Sequence, residues 1–415
     1  MRTALLLTLL VLPALASGRG VRDRGREEAV PDRIQTVSGK THEGRVLKIG
    51  EDTVLMRIGS KELSFDREDV AHIDSSLMAL PAALLRAERI APSDFGGHGV
   101  EALRLGEQGL PFEADLHWWQ ALMTNPSYTP AHEALGHRKR RGSWVIPHRG
   151  RSYPLDRLQE ERADWGGAWE FSTTHFDLRS NLELPDVVES CWGAERVYRA
   201  FFDLFGTELE LYEITEPMSL WLHADSPSYR DPGSGRSAYF SDTENRVSID
   251  ASRGLTLRTV VRETTHQLLY NASRSKGGSG SIPAWVDEGL AQYMETVVDV
   301  RRGATSLTPA RANGRLFATH ALSGKPYRLS RVLTFANGDY WSSTRLGLKY
   351  AQAYTLVHFC LHGGGGAYRE AFMSYLRGAF QGKGSSTHFK KAIGIREREL
   401  EKAWVAYVAA STGRR

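Results

Sequence analysis

The chain has 415 residues, 41% of them hydrophobic and 25% charged, with a formal net charge of +4. That is enough apolar material for a packed core and several domains, which excludes a fibrous or wholly disordered chain. The mild positive charge gives no reason to expect a nucleic-acid partner, and two cysteines are too few for a disulfide-stapled scaffold.

At the N-terminus, Met1-Arg2, an apolar run over 4–15 and Ala14-Leu15-Ala16 before Ser17 read as a secretory signal. Cleavage is expected near Ala16, releasing an exported protein to the periplasm, the cell surface or the medium. The run falls short of the roughly 20 apolar residues a spanning helix needs, and no later segment reaches that length, so no transmembrane segment is expected. Residues 17–32 are charge-rich without apolar period and are expected to be a disordered lead-in.

Short alternating stretches at 34–37, 44–49, 53–58, 61–65 and 70–73, separated by turn residues, predict strands. Over 33–75 they suggest a small SH3-like β-barrel, a docking or spacer module. The pattern over 79–136 is helical, with helices expected at 81–91, 97–107, 111–123 and 129–135. Two of these, Glu113 to Leu122 and Ala131 to Gly136, resemble a tetratricopeptide helical pair. About one and a half such units do not make a stable solenoid, so the pair is expected to pack on its neighbours. Residues 137–164 open with a basic stretch rich in Gly and Pro and are expected to be a linker.

From 165 to 411 the pattern is mixed. Strands are expected at 173–180 and 219–223, a hairpin at 237–240 and 246–249, and helices at 185–205, 255–270, 350–360, 368–380 and 395–410. The fold class is therefore α+β and multidomain. Cys191 and Cys360 lie in apolar surroundings, and both a disulfide between them and two buried free thiols remain open.

The residues that carry chemistry are Arg262-Glu263-Thr264-Thr265-His266, followed by Pro283-Ala284-Trp285-Val286-Asp287-Glu288-Gly289-Leu290-Ala291. In the pattern H-E-x-x-H two His one helical turn apart hold zinc and the Glu serves as general base. Here Glu263 and His266 occupy the base and second-ligand positions, and Arg262 stands where the first ligand belongs. Alone, R-E-x-x-H is a common solvated helix face.

With its second half, the string resembles an uncharacterised family of exported bacterial proteins with a gluzincin-like metallopeptidase domain, whose usual form is H-E-x-x-H-Q-L followed by P-x-W-x-x-E-G-L-A-x-Y. The resemblance covers about residues 165–410, and the upstream barrel and helical pair look like the company such a domain keeps. It implies a zincin-like domain with a small sheet, an active-site helix and a helical C-terminal lobe. It further implies that Glu263 matches the general base, that His266 and Glu288 match zinc ligands, and that a Tyr some sixty residues past Glu288, Tyr350 or Tyr354, has the oxyanion role. Both rings also fit a core position.

Arg262 departs from that pattern. A catalytic zinc takes three protein ligands, and a guanidinium has no lone pair to offer. Two readings follow. In the first, Arg262 replaces the metal with an ion pair to Glu288 or Glu263, and the protein is a non-catalytic scaffold holding a peptide or protein partner in the former substrate cleft. In the second, His175, His223, His320, His358 or His362 substitutes for the lost ligand, zinc is bound, and the peptidase is active.

Three strings are set aside. His132 and His137 are five apart, roughly 140° round a helix, with Gly136 between them. His362-Gly363-Gly364-Gly365 lacks any companion G-x-S-x-G elbow. His137-Arg138-Lys139-Arg140-Arg141 reads as a solvated basic run.

Overall fold

The computed structural model describes residues 31–50, 52–230, 235–275, 277–279, 282–298 and 325–411. The expected signal, nearly all of the lead-in and His320 lie outside these residues.

Strands β1 (Asp32–Thr36), β2 (Thr41–Ile49), β3 (Thr53–Ile58), β4 (Lys61–Asp66) and β5 (Val70–Asp74) pair antiparallel in the order β4-β3-β2-β1-β5. All five expected strands are present. The described strands form an open sheet, since no ladder among them joins β4 to β5 to close a barrel. Alternation turns Ile34, Val46, Val54, Met56, Val70 and Ile73 into a small core of their own. Buried Asp32 accepts from the N–H of Val46 at 2.7 Å and of Ser76 at 3.0 Å, and so ties the sheet to the helix that follows.

That helix, α1 (Ser76–Ala87), begins five residues before the expected start. Ser75 caps it, its Oγ accepting from Leu77 N–H at 3.2 Å, and Pro81 lies inside the helix instead of opening it. Helices α2 (Phe95–Glu107), α3 (Pro111–Thr124) and α4 (Thr129–Ala134) follow, with α3 packed on both of the others.

The segment read as a linker is structured. It holds β6 (Arg138–Arg140), β7 (Ser143–His148), β8 (Arg151–Tyr153) and α5 (Leu155–Arg162). Its two hairpin turns are Arg141-Gly142, with φ of 49° and 87°, and Arg149-Gly150, with φ of 48° and 76°. Two successive residues at positive φ make the tight turn that matches strand twist. Arg in place of the usual Asn or Asp hid both hairpins.

The larger part contains β9 (Trp169–Ser172), β10 (Phe176–Ser180), α6 (Leu184–Phe205), β11 (Met218–His223), β12 (Ala238–Ser241), β13 (Arg246–Asp250), α7 (Leu257–Ser275) and α8 (Ala284–Val297). After these come α9 (Leu329–Val332), α10 (Asn337–Trp341), α11 (Leu346–His362), α12 (Arg369–Gly378), α13 (Ser386–Ile393) and α14 (Glu397–Ser411). The expected strand at 173–180 begins only at Phe176, because Thr173 N–H closes a turn onto Phe176 O at 2.8 Å; β9 precedes that turn. The sheet order is β12-β13-β11-β10-β9, with β10, β11 and β13 parallel and an antiparallel strand on each edge.

Leu178, Leu220, Leu222, Val247 and Ile249 fill one face of this sheet, against α6 and α7. The opposite face carries Arg179, Trp221 and Arg246. One continuous core runs from Leu80 in α1 to Val408 in α14, so the helical region packs on the sheet as expected of a pair too short to stand alone. The fold is mixed α+β with several small sheets. No helix among the described residues is long and apolar enough to cross a membrane. Cys191 and Cys360 are both buried free thiols.

Candidate functional site

Helix α7 buries Val260, Val261, Leu268, Leu269 and Ala272, which fixes its rotation, and its neighbour α8 lies against it. Helix α8 is held from behind at two points. Trp285 is fully buried and stacks on Tyr375 with ring centroids 6.1 Å apart. At Gly289 a Cβ would stand 2.6 Å from Val357 Cγ2 and 2.7 Å from Ala353 O, so α8 and α11 approach at a spacing that only glycine permits. Trp285 and Gly289, prominent in the motif, are thus packing residues that present Glu288 to α7.

Between the two helices Arg262 Nη2 donates to Glu288 Oε2 at 2.9 Å. Its Nη1 stands 3.9 Å from Glu263 Oε1 and its Nε 4.0 Å from Glu295 Oε1. The guanidinium also lies 4.9 Å from the centroid of the Tyr350 ring. Burial works against the Arg262 charge, but Glu288 and Glu263 outweigh it and hold the group more firmly protonated than a free guanidinium.

His266 Nδ1 is 2.9 Å from Asp287 Oδ1, and its Nε2 is 3.8 Å from Glu288 Oε2. Burial opposes the imidazolium here too. Asp287, then Glu288 and Glu263, overcome it and push the ring up to about 9. Four carboxyl groups, Glu263, Asp287, Glu288 and Glu295, thus gather round Arg262 and His266 of α7, with Arg258 of the same helix also acting on Glu295.

Of the residues singled out by sequence, Arg262, Glu263, His266, Glu288 and Tyr350 come together. Tyr354 packs against His358, fully buried one turn farther along α11, with the two rings 5.6 Å apart. The sequence reading missed Asp287, Glu295 and Tyr340. Glu295 sits two turns after Glu288 on the same face of α8, a spacing visible in the sequence. Tyr340 is 1% exposed, stacks on Tyr350 at 5.7 Å, and has a buried hydroxyl with no hydrogen-bond partner among the described residues. Burial first and Glu288 next push that hydroxyl up. Nothing in the sequence around Tyr340 marks it, because it arrives on a one-turn helix.

These residues do not fit a catalytic zinc. Arg262, in the place of the first ligand, has no lone pair to give, and it occupies Glu288 Oε2 with a hydrogen bond. Among the described residues no group of three or more His, Cys, Asp or Glu is gathered as a metal cage. Four of the five substitute histidines are described, and each has other partners. His175 lies between Glu195 and Glu213, His223 bonds Ser228, His358 bonds Tyr407 and His362 bonds Tyr293.

A second buried polar centre was not foreseen. His175 Nδ1 is 2.7 Å from Glu195 Oε2, its Nε2 bonds Glu213, and its ring stacks on Tyr198 at 3.5 Å. Thr173 Oγ1 donates to Glu195 at 2.5 Å, and the N–H of Thr174 donates to Glu113 of α3 at 2.8 Å. Glu213 N–H in turn donates to Leu47 O of the small sheet at 2.9 Å. The centre joins the small sheet, the helical region and the larger sheet. Burial pushes Glu113 up to about 7, with Glu195 adding to it, whereas the two carboxylates push His175 up to about 9 against burial. His132 and His137, set aside as ligands, do touch. Gly136 at φ 69° ends the helix and folds His137 back, bringing the Nδ1 atoms to 2.8 Å as a shared-proton pair.

A family model described as a protein of unknown function, DUF1570, matches residues 256–383. That span takes in α7, α8 and α11, the three helices that build the site. No curated protein matches the chain.

Proposed function

We propose that this is an exported protein with a gluzincin-like metallopeptidase domain whose zinc site has been replaced by an internal ion pair, and that it acts as a non-catalytic scaffold holding a peptide or protein partner in the former cleft. The observation that carries the reading is the 2.9 Å bond from Arg262 to Glu288, which neutralises the carboxylate a metal would need. The order of a mixed sheet, α7 on one face, α8 beside it and helices closing the remainder supports the zincin-like assignment. In this reading the N-terminal five-stranded sheet is an SH3-like docking or spacer module, 1–16 is a signal, and the helical region 79–136 is tetratricopeptide-like, with α3 and α4 as its helical pair.

Metal analysis tests it. Purified wild-type protein should carry well below one zinc per chain and cleave neither casein nor a peptide library. Stoichiometric zinc in the wild type would sink the proposal. Glu263, His266 and Glu288 being side by side favours a second reading, an active zinc peptidase with a substitute ligand. That reading requires zinc and proteolysis in the wild type. Zinc and proteolysis gained only in Arg262→His would show that one ligand alone was lost.

A further inference from the structure

A cavity of about 700 Å³ lies on the face of the larger sheet opposite α7. Its volume falls within the range of small-ligand pockets, roughly 300–1,000 Å³. Its floor is the outward row of β11, β13 and β12, with Trp221, His223, Ser248 and Tyr239, and Trp165 forms one wall. None of these residues takes part in the Arg262 site.

The aromatic groups are held rigidly. Arg246 lies 3.8 Å from the Trp221 centroid, Arg179 bridges Trp221 and Trp165 at 5.7 and 4.8 Å, and Trp165 stacks on His223 at 3.9 Å. Such a ladder would stabilise the sheet face by itself. It leaves unexplained the polar groups turned toward the cavity.

His223 is 3% exposed. The Ser228 hydroxyl donates to Asp225 O at 3.0 Å, so it can only accept at His223 Nδ1, 3.1 Å away. The imidazole therefore carries its proton on Nδ1, and Nε2 keeps a lone pair that no described residue engages. Burial pushes the ring down to about 4, which keeps it neutral. The indole N–H groups of Trp165 and Trp221 likewise have no acceptor among the described residues.

The charges of the lining are mostly spent within the protein. Asp225 accepts from Ser228 N–H and Asn181, Glu244 bonds Arg246, and Asp164 pairs with Arg149 at 3.8 Å. Arg230, exposed, adds one cation at the rim. A phosphate or polyanion finds no cluster of uncommitted cations here. With the faces of Trp165 and Trp221 covered by His223, Arg179 and Arg246, what the cavity offers is a neutral acceptor and two indole donors beside the Tyr239 ring, which suits a neutral ligand rich in hydroxyls.

We propose that this cavity is a saccharide-binding site, with His223 Nε2 accepting from a sugar hydroxyl, Trp165 and Trp221 donating to ring or hydroxyl oxygens, and Tyr239 closing one side. The wall is preformed, so little side-chain ordering is lost on binding.

The experiment is saturation-transfer NMR and calorimetry on the full chain with cellohexaose, chitohexaose and a hexamer of galacturonic acid, and with inorganic phosphate as anion control. At least one hexasaccharide should bind. His223→Leu and Tyr239→Ala should each weaken it about tenfold or more, the loss of one well-placed contact. Both variants should melt within a few degrees of wild type, and Arg262→His, with the other site altered, should bind the sugar as wild type does. The proposal is overturned if none of the three sugars binds, if phosphate alone binds, or if sugar binding survives both variants. Should His223→Leu fail to fold, Tyr239→Ala and the surface change Arg230→Ala, read with the galacturonate hexamer, decide it.

Discussion

Arg262 on α7 and Glu288 on α8 are joined by a 2.9 Å charge-assisted hydrogen bond, 26 residues apart in sequence, and this bond spans the groove between the two helices. Its energetic weight is measurable. Arg262→Ala leaves Glu288 and Glu263 with only the more distant His266 as cation and should destabilise the protein by about 2–4 kcal/mol, below the range for a wholly buried pair because the Arg262 side chain is 25% exposed. Arg262→Ala combined with Glu288→Ala should be more stable than Arg262→Ala alone. Urea unfolding of the cycle checks this, and simple additivity of the two losses would contradict it.

The His175 centre predicts an alkaline limb of stability. Its folded pKa, about 9, lies above the ordinary value of 6.5, so its contribution is complete below pH 6.5 and is lost as pH rises through 9. Glu195 is depressed below its ordinary 4.5, so its contribution is present above 4.5 and fades as pH falls below that. His175→Gln should shorten the fall in stability between pH 6.5 and 9, by on the order of 3 kcal/mol. Denaturant titrations at pH 6, 8 and 9.5 read it out. An unchanged pH profile in His175→Gln would remove the centre from this role.

Close approach at Gly289 predicts a steep size dependence. Gly289→Ala places its methyl against Ala353 O and Val357 and should cost about 1–3 kcal/mol by overpacking, more than offsetting any gain in helix propensity. Thermal melts should show a drop of several degrees, and a rise would mean that α8 and α11 separate freely.

Neither thiol should react in the folded protein. Cys191 and Cys360 are wholly buried, and burial pushes both up, away from the reactive thiolate. A thiol reagent should titrate no groups under native conditions and two in denaturant, with or without prior reduction. One disulfide recovered from unreduced protein would contradict it.

How far the sequence spoke depended on the range of each signal. Period-two alternation recovered β1 to β5, and the spacing of Arg262, Glu263, His266 and Glu288 was enough to bring those four residues together. The hairpins of 138–153 were hidden because Arg141 and Arg149 take positive φ, a conformation the residue type does not announce. Asp287 and Glu295 were within reach of helical spacing. Tyr340 and the His175 centre were not, because long-range packing brings Tyr340 to Glu288 and joins Glu113, His175, Glu195 and Glu213 from separate segments.

The core that runs from Leu80 to Val408 also limits how the chain can be divided. A truncated chain starting at 165 would strip away His117 and Trp119, baring the Trp192, Trp169 and Phe171 rings they pack on, and would leave Thr174, next to His175, without its bond to Glu113. Such a fragment should be sticky and prone to aggregate. Recombinant work on the site is better begun near residue 31 than at the boundary the motif suggests.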